Sequence, residues 1–415
     1  MIVKSFLLKP RSLEQIVANC DKDTIAIVRP GKTIEGLFRE AVRKTIEEKK
    51  SAQEEFKQIE EYFQSVSTNP DYQEMVSSTL DAVGGYLREG MWVQTAPHAI
   101  EDYVMAKCAR LCAEAVNVLA GGKLIDGTEL MLCHTQLHFD WTGSQQQILQ
   151  RCTAEGPLVI PGGYGRLASG YVVRVGKDGA HLMASLIGAT LKASSIEFYV
   201  EGKGIEGIPA MTYDEAAHFC SSPNAPFSSS ALWPAKNAGI PILVKDIQNQ
   251  EFEGTLISTG SGHQTAILQE DKLDLITVYG TGLLGRVGMS GSIFSAMAAA
   301  SINVRFIAQT SSEYSISFAV RSSDKDAALE AIKSLFKENP LLPLDDVVIL
   351  NREVGIVTVF GSRMRNVPGV SGTVFGKLGA KGINIIASAQ GGEELSISLV
   401  VDAADLNLAA ELLNE

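Results

Sequence analysis

The chain contains one module twice, at a constant offset of 81 residues. The first copy begins at Leu275 with LITVYGTGLLGRVGMSG, and the second begins at Gly355 with GIVTVFGSRMRNVPGVSG. Because the offset never slips, it indicates a duplicated module rather than similar composition. The identical pairs at this spacing are Gly280/Gly361, Gly288/Gly369, Gly291/Gly372, Phe294/Phe375, Ile302/Ile383, Asn303/Asn384, Gln309/Gln390, Ser315/Ser396 and Ser317/Ser398.

Each copy has the residue pattern of a small α+β sandwich. An apolar strand, ITVYG or IVTVFG, runs into a glycine-rich loop and then into an apolar segment of helical period. Two strands follow, the first over INVRFIAQ or INIIASAQ, and a polar helix is predicted from about Asp324 or Ala403. This order predicts a ferredoxin-like split βαβ fold for each copy.

The strings INVRFIAQTSSEYSISF and INIIASAQGGEELSIS resemble ACT domains, the regulatory modules of enzymes of amino-acid metabolism. The resemblance is closest to the threonine-sensing members of the aspartokinase family, including those fused to homoserine dehydrogenase. It implies that the last third of the chain binds an amino-acid effector, with threonine favoured and lysine as the alternative.

Six repeated residues fit the recognition of an amino acid. Backbone N–H groups of a glycine-rich loop at a helix start suit a carboxylate. Asparagine side chains accept from an ammonium group, and glutamine side chains both donate to and accept from a hydroxyl or amide. The alternative is a structural role in which the amides tie a strand end to its loop. The candidates are Gly288, Gly369, Asn303, Asn384, Gln309 and Gln390.

Composition narrows the classes of partner. A formal net charge of −12 argues against nucleic acid, which requires a basic surface. No apolar run approaches the ~20 residues of a membrane span, and the N-terminal segment MIVKSFLLKPRSLEQ has no signal-peptide cleavage pattern. The six cysteines lack regular spacing, as in reduced cytosolic chains. We therefore expect a cytoplasmic protein that binds small ligands or other proteins and does not enter a membrane.

No metal site is expected from the histidines and cysteines. His134 and His138 lie beside Cys133, but the residues around them are typical of loops and strand edges. Cys108 and Cys112 are four residues apart on a predicted helix without a histidine at metal spacing, so core packing is the better interpretation.

The segment that starts at Pro157 indicates a phosphate-binding α/β arrangement. A buried-type strand ends in PGGYG, and a hairpin leads into VGKDGAHLMASLIGATLKA, where glycines and a basic residue precede a helix. Such a helix start offers backbone donors to phosphate groups. The candidates for nucleotide or phosphate binding are Gly162, Gly163, Gly176, Lys177, Gly179 and Glu201.

The order of segments in the first part of the chain resembles the catalytic domain of aspartokinases, members of the amino-acid kinase family. The stretches TYDEAAHF, SALWPAKNAGIPILVKD and EGTLIS are similar to family segments in the same order. The resemblance implies a three-layer αβα sandwich over residues 1–262, followed by α+β ACT modules at 263–345 and 346–415. It also implies that residues 263–270 form a strand added to the second module.

Several positions depart from the motifs of that family. Ser5 stands where the strand KFGGTS has its lysine, and Leu7 and Leu8 replace its two glycines. His181 stands where GRGGSD has its aspartate, and Ala225 stands where a lysine is expected. The nucleotide segment WTDVDGIYTADPR is reduced to YVEGKGI. Because phosphoryl transfer depends on positioned cations and backbone donors, these losses predict a degenerate kinase site.

Three functional hypotheses remain open. The first is a regulatory pseudo-aspartokinase that senses an amino acid and acts on a partner biosynthetic enzyme or on its own assembly. The second is a divergent active aspartate kinase that uses ATP and Mg²⁺, with Lys177 retained and Lys9 or Lys4 in place of the missing lysine. The third is another enzyme on the same scaffold, in which His181 is a general acid or base rather than a helix-surface or interface residue.

The modules also predict an assembly. ACT sandwiches leave an open sheet edge and one uncovered face, so they usually pair side by side. We therefore expect a homodimer with the ACT modules at its centre and effector sites at module interfaces.

Overall fold

The structure, a computed structural model, falls into two compact units. The first comprises Met1–Cys220 and Ala225–Ser261, and the second contains Gly262–Glu415. The residues described are 1–415 without 10, 93–96, 136–137, 154–155, 177, 201–204, 206–207, 221–224, 247–248, 250–252, 261–265, 284–286, 313, 339–347 and 415.

The first unit is built on a largely parallel sheet. Its strands are β1 (Ile2–Leu8), β2 (Thr24–Pro30), β3 (Lys123–Leu124), β4 (Leu132–Cys133), β5 (Leu158–Pro161), β6 (Tyr164–Leu167), β7 (Val172–Arg174), β8 (Ser195–Val200), β9 (Ala210–Thr212), β10 (Ile242–Asp246) and β11 (Thr255–Ser258). Eight of them form one sheet in the order β3-β5-β2-β1-β8-β10-β11-β9, and β4, β6 and β7 form a small second sheet. In the large sheet the β10–β11 pair is antiparallel and the other neighbours are parallel.

Helices cover both faces of the large sheet. They are α1 (Leu13–Ala18), α2 (Lys32–Val42), α3 (Gln53–Gln64), α4 (Pro70–Trp92), α5 (Pro97–Ala120), α6 (Gly127–Leu130), α7 (Trp141–Arg151), α8 (Gly179–Leu191), α9 (Tyr213–Phe219) and α10 (Trp233–Ala238). A π-helical turn, Arg43–Glu47, follows α2. Among the described helices, none is long and apolar enough to cross a bilayer.

The alternation of side chains along β1 separates the two helical layers. Phe6 and Leu8 belong to the core cluster formed with α2, α3, α4 and α5. Val3 lies on the other face, where a Cβ added to Gly188 of α8 would be 3.7 Å from Val3 Cγ2. Since helices cover both faces, the strand is buried along almost its whole length. The expected three-layer αβα sandwich is therefore confirmed.

In its described residues, the second unit has one antiparallel sheet and four main helices. The sheet order is β13-β14-β12-β15-β17-β16, with these bounds: β12 (Ala266–Tyr279), β13 (Phe306–Gln309), β14 (Ser315–Arg321), β15 (Val348–Phe360), β16 (Ala387–Gln390), β17 (Ser396–Asp402), α11 (Met289–Ala299), α12 (Lys325–Glu338), α13 (Val370–Ala380) and α14 (Leu406–Asn414). The order of elements within each repeat matches the pattern expected for a ferredoxin-like module.

The two central strands each serve both modules. The second part of β12 pairs with β14, whereas Ala266–Glu270 pairs with Ile356–Phe360 of β15. In the same way, Val354–Phe360 pairs with β17 while the first part of β15 pairs with β12. The register shifts between Glu270 and Leu273, where β12 passes from one module to the other. Residues 263–265 lie outside the described part of the chain.

Each module has its own core under its own helix pair. Ile276 and Phe318 pack with α11 and α12, and Val357 and Leu399 pack with α13 and α14. The opposite face of the sheet holds a third cluster that includes Leu273, and the edge strands β13 and β16 have Cα atoms within 8 Å of each other. The sheet therefore curls around this third cluster.

Candidate functional site

The carboxyl ends of four neighbouring strands define the first candidate site. Strands β5, β2, β1 and β8 are parallel neighbours, so their carboxyl ends form one edge of the sheet. Open α/β sheets bind ligands at this edge. Lys9 directly follows β1, and Gly162 and Gly163 directly follow β5. Lys177 and Glu201, which complete the sequence prediction here, lie outside the described residues.

The glycines near β5 bring its loop into direct contact with the start of α8. A Cβ on Gly162 would lie 2.4 Å from Ile27 Cγ2 and 2.8 Å from Ala180 Cβ. A Cβ on Gly179 would lie 2.9 Å from Gly163 Cα, and Gly163 has a φ of +98°. Close packing therefore requires glycine at positions 162 and 179, and the positive φ favours glycine at position 163.

A charged pair lies at the start of α8. Asp178 is the N-cap residue, and its Oδ1 lies 3.8 Å from Nη1 of Arg29 on β2. A carboxylate at a helix N-terminus interacts favourably with the helix dipole. The same carboxylate repels a phosphate at this place, so Asp178 weakens the helix start as an anion site.

Internal hydrogen bonds occupy the backbone donors after β1 and β2. The N–H of Lys9 donates to Ser12 Oγ at 2.9 Å, and Ser12 is fully buried. The N–H of Gly31 donates to the carbonyl of Leu8 at 2.7 Å. These two N–H groups are therefore used by the fold itself.

Two buried polar side chains, Ser5 and His181, lie beneath this edge, and both are fully buried. Among the described residues, neither Ser5 Oγ nor either ring nitrogen of His181 has a hydrogen-bond partner. The imidazole packs on the ring of Phe198 with centroids 4.5 Å apart, and Phe198 in turn contacts Phe227 at 5.6 Å. Ser5 is the register neighbour of Phe198 on β1.

Burial holds His181 in its neutral form. Desolvation, followed by the charge of Arg29, lowers the pKa of His181 well below its ordinary value. A fully buried, neutral imidazole packed on Phe198 is not exposed to a solvent-borne substrate. The expectation that places His181 on a helix surface is wrong, because the residue faces the core.

The second candidate site occurs twice, at the starts of α11 and α13. Oε1 of Gln309 accepts from Ser290 Oγ at 3.0 Å, and Oε1 of Gln390 accepts from Ser371 Oγ at 3.2 Å. Each serine belongs to the first turn of its helix. The same contact therefore recurs at the 81-residue offset.

Left-handed glycines precede both helices. Gly288 has a φ of +88° and Gly369 a φ of +90°, a region that favours glycine. The helices then start without a side-chain cap. Uncapped first-turn N–H groups are available donors for a carboxylate.

Comparison with known proteins found similar sequences for both parts of the chain. A family model described as an ACT domain matches residues 276–336 and 357–415. The bifunctional aspartokinase/homoserine dehydrogenase of Haemophilus influenzae is 26% identical over 370 residues, which cover 84% of this chain and 43% of that protein. The aspartokinase of Geobacillus stearothermophilus is 28% identical over 289 residues, covering 64% of this chain and 67% of that protein.

Solved structures share the fold along the whole chain. Aspartate kinase of Clostridium acetobutylicum has a TM-score of 0.79 at 19% identity, covering 100% of this chain and 98% of that one. E. coli aspartokinase III in complex with lysine and aspartate has a TM-score of 0.80 at 17% identity, covering 100% and 99%. The chain resembles aspartokinases in sequence over most of its length and in fold over all of it.

The chain spans less than half the length of the bifunctional relatives that it matches, 43% of the Haemophilus protein and 32% of a Zea mays protein. The predicted resemblance and the predicted fold class, a kinase-like sandwich followed by two ACT modules, are confirmed.

A buried polar cluster in the kinase-like unit was missed by sequence reasoning. Lys4 Nζ donates to the carbonyl of Asn19 at 2.9 Å and lies 3.9 Å from Glu197 Oε2. Glu197 also accepts from Tyr199 at 2.8 Å and from Lys245 at 3.2 Å. Lys4 follows the alternation of β1 onto the face opposite Ser5, so it is not placed to substitute for a lysine at Ser5. That interpretation of Lys4 is wrong, and period-2 alternation was the signal that could have excluded it.

The two asparagines of the ACT prediction are exposed. Asn303 and Asn384 precede β13 and β16, and their side chains form no hydrogen bond within the described parts of the chain. In the sheet, Thr277 and Ser317 share a hydroxyl contact of 2.9 Å, which is repeated between Thr358 and Ser398. The exposed amides are therefore sterically accessible to a ligand at each module.

Proposed function

We propose that this aspartokinase-family protein senses an amino acid through its ACT pair and does not transfer phosphate at its kinase-like site. The observation that carries the second part is the buried, unpartnered state of Ser5 and His181 beneath Phe198. By the family resemblance, these positions hold a lysine and an aspartate in active members. Neither residue retains a charge that could organise phosphate or Mg²⁺.

The size of the expected loss supports this reading. Removing a single preorganised donor from an active site typically costs about 10²–10³ in rate. Here the lysine is replaced, two glycine positions carry Leu7 and Leu8, and the N–H of Lys9 is bonded to Ser12. Several losses together would leave a rate too low for a biosynthetic step.

The repeated Ser–Gln contacts support an amino-acid effector. Each lies beside an uncapped helix start, which offers donors for a carboxylate. Each module also has an exposed asparagine, which offers an acceptor for an ammonium group. The E. coli structural neighbour was solved with lysine and aspartate, which favours an amino acid as the ligand class. We keep threonine as the preferred effector and lysine as the alternative.

Effector binding can act only through a difference in affinity between two states. Such coupling is typically worth about 1–3 kcal/mol. In a protein without phosphotransfer, we propose that this energy alters a homodimer formed through the ACT modules or the binding of a partner biosynthetic enzyme. We propose a cytoplasmic location, since all six cysteines are free thiols.

The deciding experiment measures acyl-phosphate formation and binding on the same preparation. The full chain is incubated with ATP, Mg²⁺ and aspartate, and aspartyl phosphate is trapped with hydroxylamine, with Geobacillus stearothermophilus aspartokinase as the positive control. Calorimetric titration with ATP and Mg²⁺, and then with threonine, lysine and aspartate, follows. We expect no trapped product, no heat from ATP and clear heat from threonine or lysine.

An active aspartate kinase is the second candidate. The placement of a glycine-rich loop and a helix start at the carboxyl edge of the sheet favours it, since this is where such sheets bind phosphates. Product formation comparable with the control would establish it and would end the regulatory proposal. ATP and Mg²⁺ would then be its cofactors.

A further inference from the structure

A cavity of about 550 Å³ lies in the helical layer of the first unit. Its walls come from the π-helical turn Arg43–Glu47, the segment after it, α3 and α4, and it shares no lining residue with the sheet edge described above. Its size falls within the range of small-molecule sites, about 300–1,000 Å³. We call this cavity the α3–α4 groove.

The α3–α4 groove combines an apolar wall with a cationic rim. Phe56, Leu80, Leu87 and Met91 form the apolar part. The charged lining residues are four cations and two carboxylates: Lys49, Lys50, Lys57, Arg88, Glu60 and Asp81. The lining therefore has an excess of two positive charges in a chain whose formal net charge is −12.

Some cations of this rim are paired only weakly with carboxylates, and others form no ion pair within the described residues. Lys50 pairs with Glu48 at 2.9 Å, and Lys57 approaches Glu61 at 3.8 Å, both on exposed surface where such pairs are weak. Glu60 accepts from Ser77 Oγ at 2.8 Å. Lys49 and Arg88 have no ion pair within the described residues.

The backbone around the π-helical turn holds the lysines at the rim. Lys49 has a φ of +53°, an uncommon conformation for a residue with a Cβ. The N–H of Lys50 donates to the carbonyl of Lys44 at 2.8 Å and closes the turn. π-helical turns and strained residues concentrate at functional sites.

Gly84 lines the groove and has no side chain to fill it. It lies in the interior of α4, where glycine costs about 1 kcal/mol relative to alanine. Gly90 on the same helix has a packing reason, because its Cβ would lie 2.7 Å from Ile100 Cδ1. A Cβ on Gly84 would meet only the Arg88 guanidinium, at 3.4 Å.

We propose that the α3–α4 groove binds a small organic anion with an apolar ring or chain. The apolar part lies against Phe56, Leu80 and Met91, and the anionic group is held by Arg88 and Lys57 through charge-assisted hydrogen bonds. Neither phosphotransfer nor effector binding at the ACT modules is needed for this site.

The test uses 8-anilinonaphthalene-1-sulfonate as the probe on the full chain, followed by fluorescence and calorimetry. Gly84→Leu fills the groove and Gly85→Leu does not, since Gly85 lies outside the lining and its Cβ approaches Arg88 only at 3.9 Å. We expect one site per chain, an affinity at least tenfold weaker in Gly84→Leu, and a change below twofold in Gly85→Leu. Thermal unfolding of both variants checks the fold.

A second pair of measurements isolates the anionic contact. Arg88→Gln combined with Lys57→Gln should weaken the sulfonate probe about tenfold. N-phenyl-1-naphthylamine, which has the same rings without the sulfonate, should bind wild type and this variant alike. The proposal would be overturned by any of three results. These are an equal loss of probe affinity in the two glycine variants, undiminished sulfonate binding in the Arg88/Lys57 variant, and no binding of the probe by wild type.

Discussion

At two positions of the kinase-like site, the charged residues expected from the resemblance are absent. By the resemblance, Ser5 and His181 stand at positions of a lysine and an aspartate, so both formal charges are gone together. The imidazole is neutral in its buried position, and Phe198 packs against it.

His181→Leu tests the cost of the buried imidazole. An unpartnered polar group in a core destabilises it, so we expect the variant to be more stable by about 1 kcal/mol at pH 7. The folded-state pKa of His181 is depressed, so the unfolded chain binds the proton first and stability falls as pH drops below about 6.5. This fall, about 1.4 kcal/mol per pH unit, should be absent in the variant.

Urea unfolding between pH 7.5 and 5 measures this effect. The three tryptophans, Trp92, Trp141 and Trp233, all lie in the first unit, so their fluorescence reports on it alone. Parallel pH profiles for wild type and His181→Leu would show that the imidazole is not the group that titrates.

Gln309→Ala and Gln390→Ala test the effector sites. Each removes an amide that lies beside a helix start, and the loss of a hydrogen bond to a charged ligand is worth about 1.5–3 kcal/mol. We expect threonine binding, measured by calorimetry, to weaken at least tenfold at the altered module. Gln146→Ala on exposed α7 is the control and should leave the titration unchanged. Unaltered binding in both ACT variants would support the structural role of these amides.

At the scale of elements, glycines allow loops to pack closely against helices. Gly162→Ala places a Cβ 2.4 Å from Ile27 Cγ2 and 2.8 Å from Ala180 Cβ, so we expect destabilisation of about 1–3 kcal/mol. Gly36→Ala in α2 meets nothing within 4 Å and should stabilise by up to about 1 kcal/mol. Tryptophan-monitored urea unfolding compares them. Similar midpoints would mean that the β5 loop moves away from α8 at little cost.

Sequence patterns predicted elements better than side-chain environments. The constant 81-residue offset and the switch from period 2 to helical period identified both ACT modules, because local patterning is strong there. The strand expected over INVRFIAQ begins only at Phe306, since Ile302 is drawn into the core of the first module. The burial of His181 was not predictable, because the ring that packs on it, Phe198, comes from a separate strand, β8.

The α3–α4 groove also had no sequence signal. Residues 40–66 have the charge pattern of a solvated helix surface, and that pattern does not reveal a π-helical turn. The groove arises when α4 packs beside α3, a tertiary event that depends on small residues such as Gly84. Such sites become visible only when helix faces are placed against each other.

At the scale of the whole molecule, exposed apolar residues on the ACT sheet support a homodimer. Val348 and Leu350, which lie on one face of β15, are 44% and 52% exposed. We expect Leu350→Asp to weaken self-association at least tenfold, because it buries a charge at an apolar contact. Light scattering over a concentration series measures this. Leu149→Asp, at 55% exposure on α7, is the control, and equal effects would place the interface elsewhere.

The exchange of half-strands between β12 and β15 makes the duplication hard to reverse. Excising either copy would remove a strand from the sheet of the copy that stays, because Ala266–Glu270 pairs with the second module and the first half of β15 pairs with the first. The two copies are thus free to diverge in side chains but not to separate in the genome. A lineage that acquired this arrangement would keep both modules or lose both.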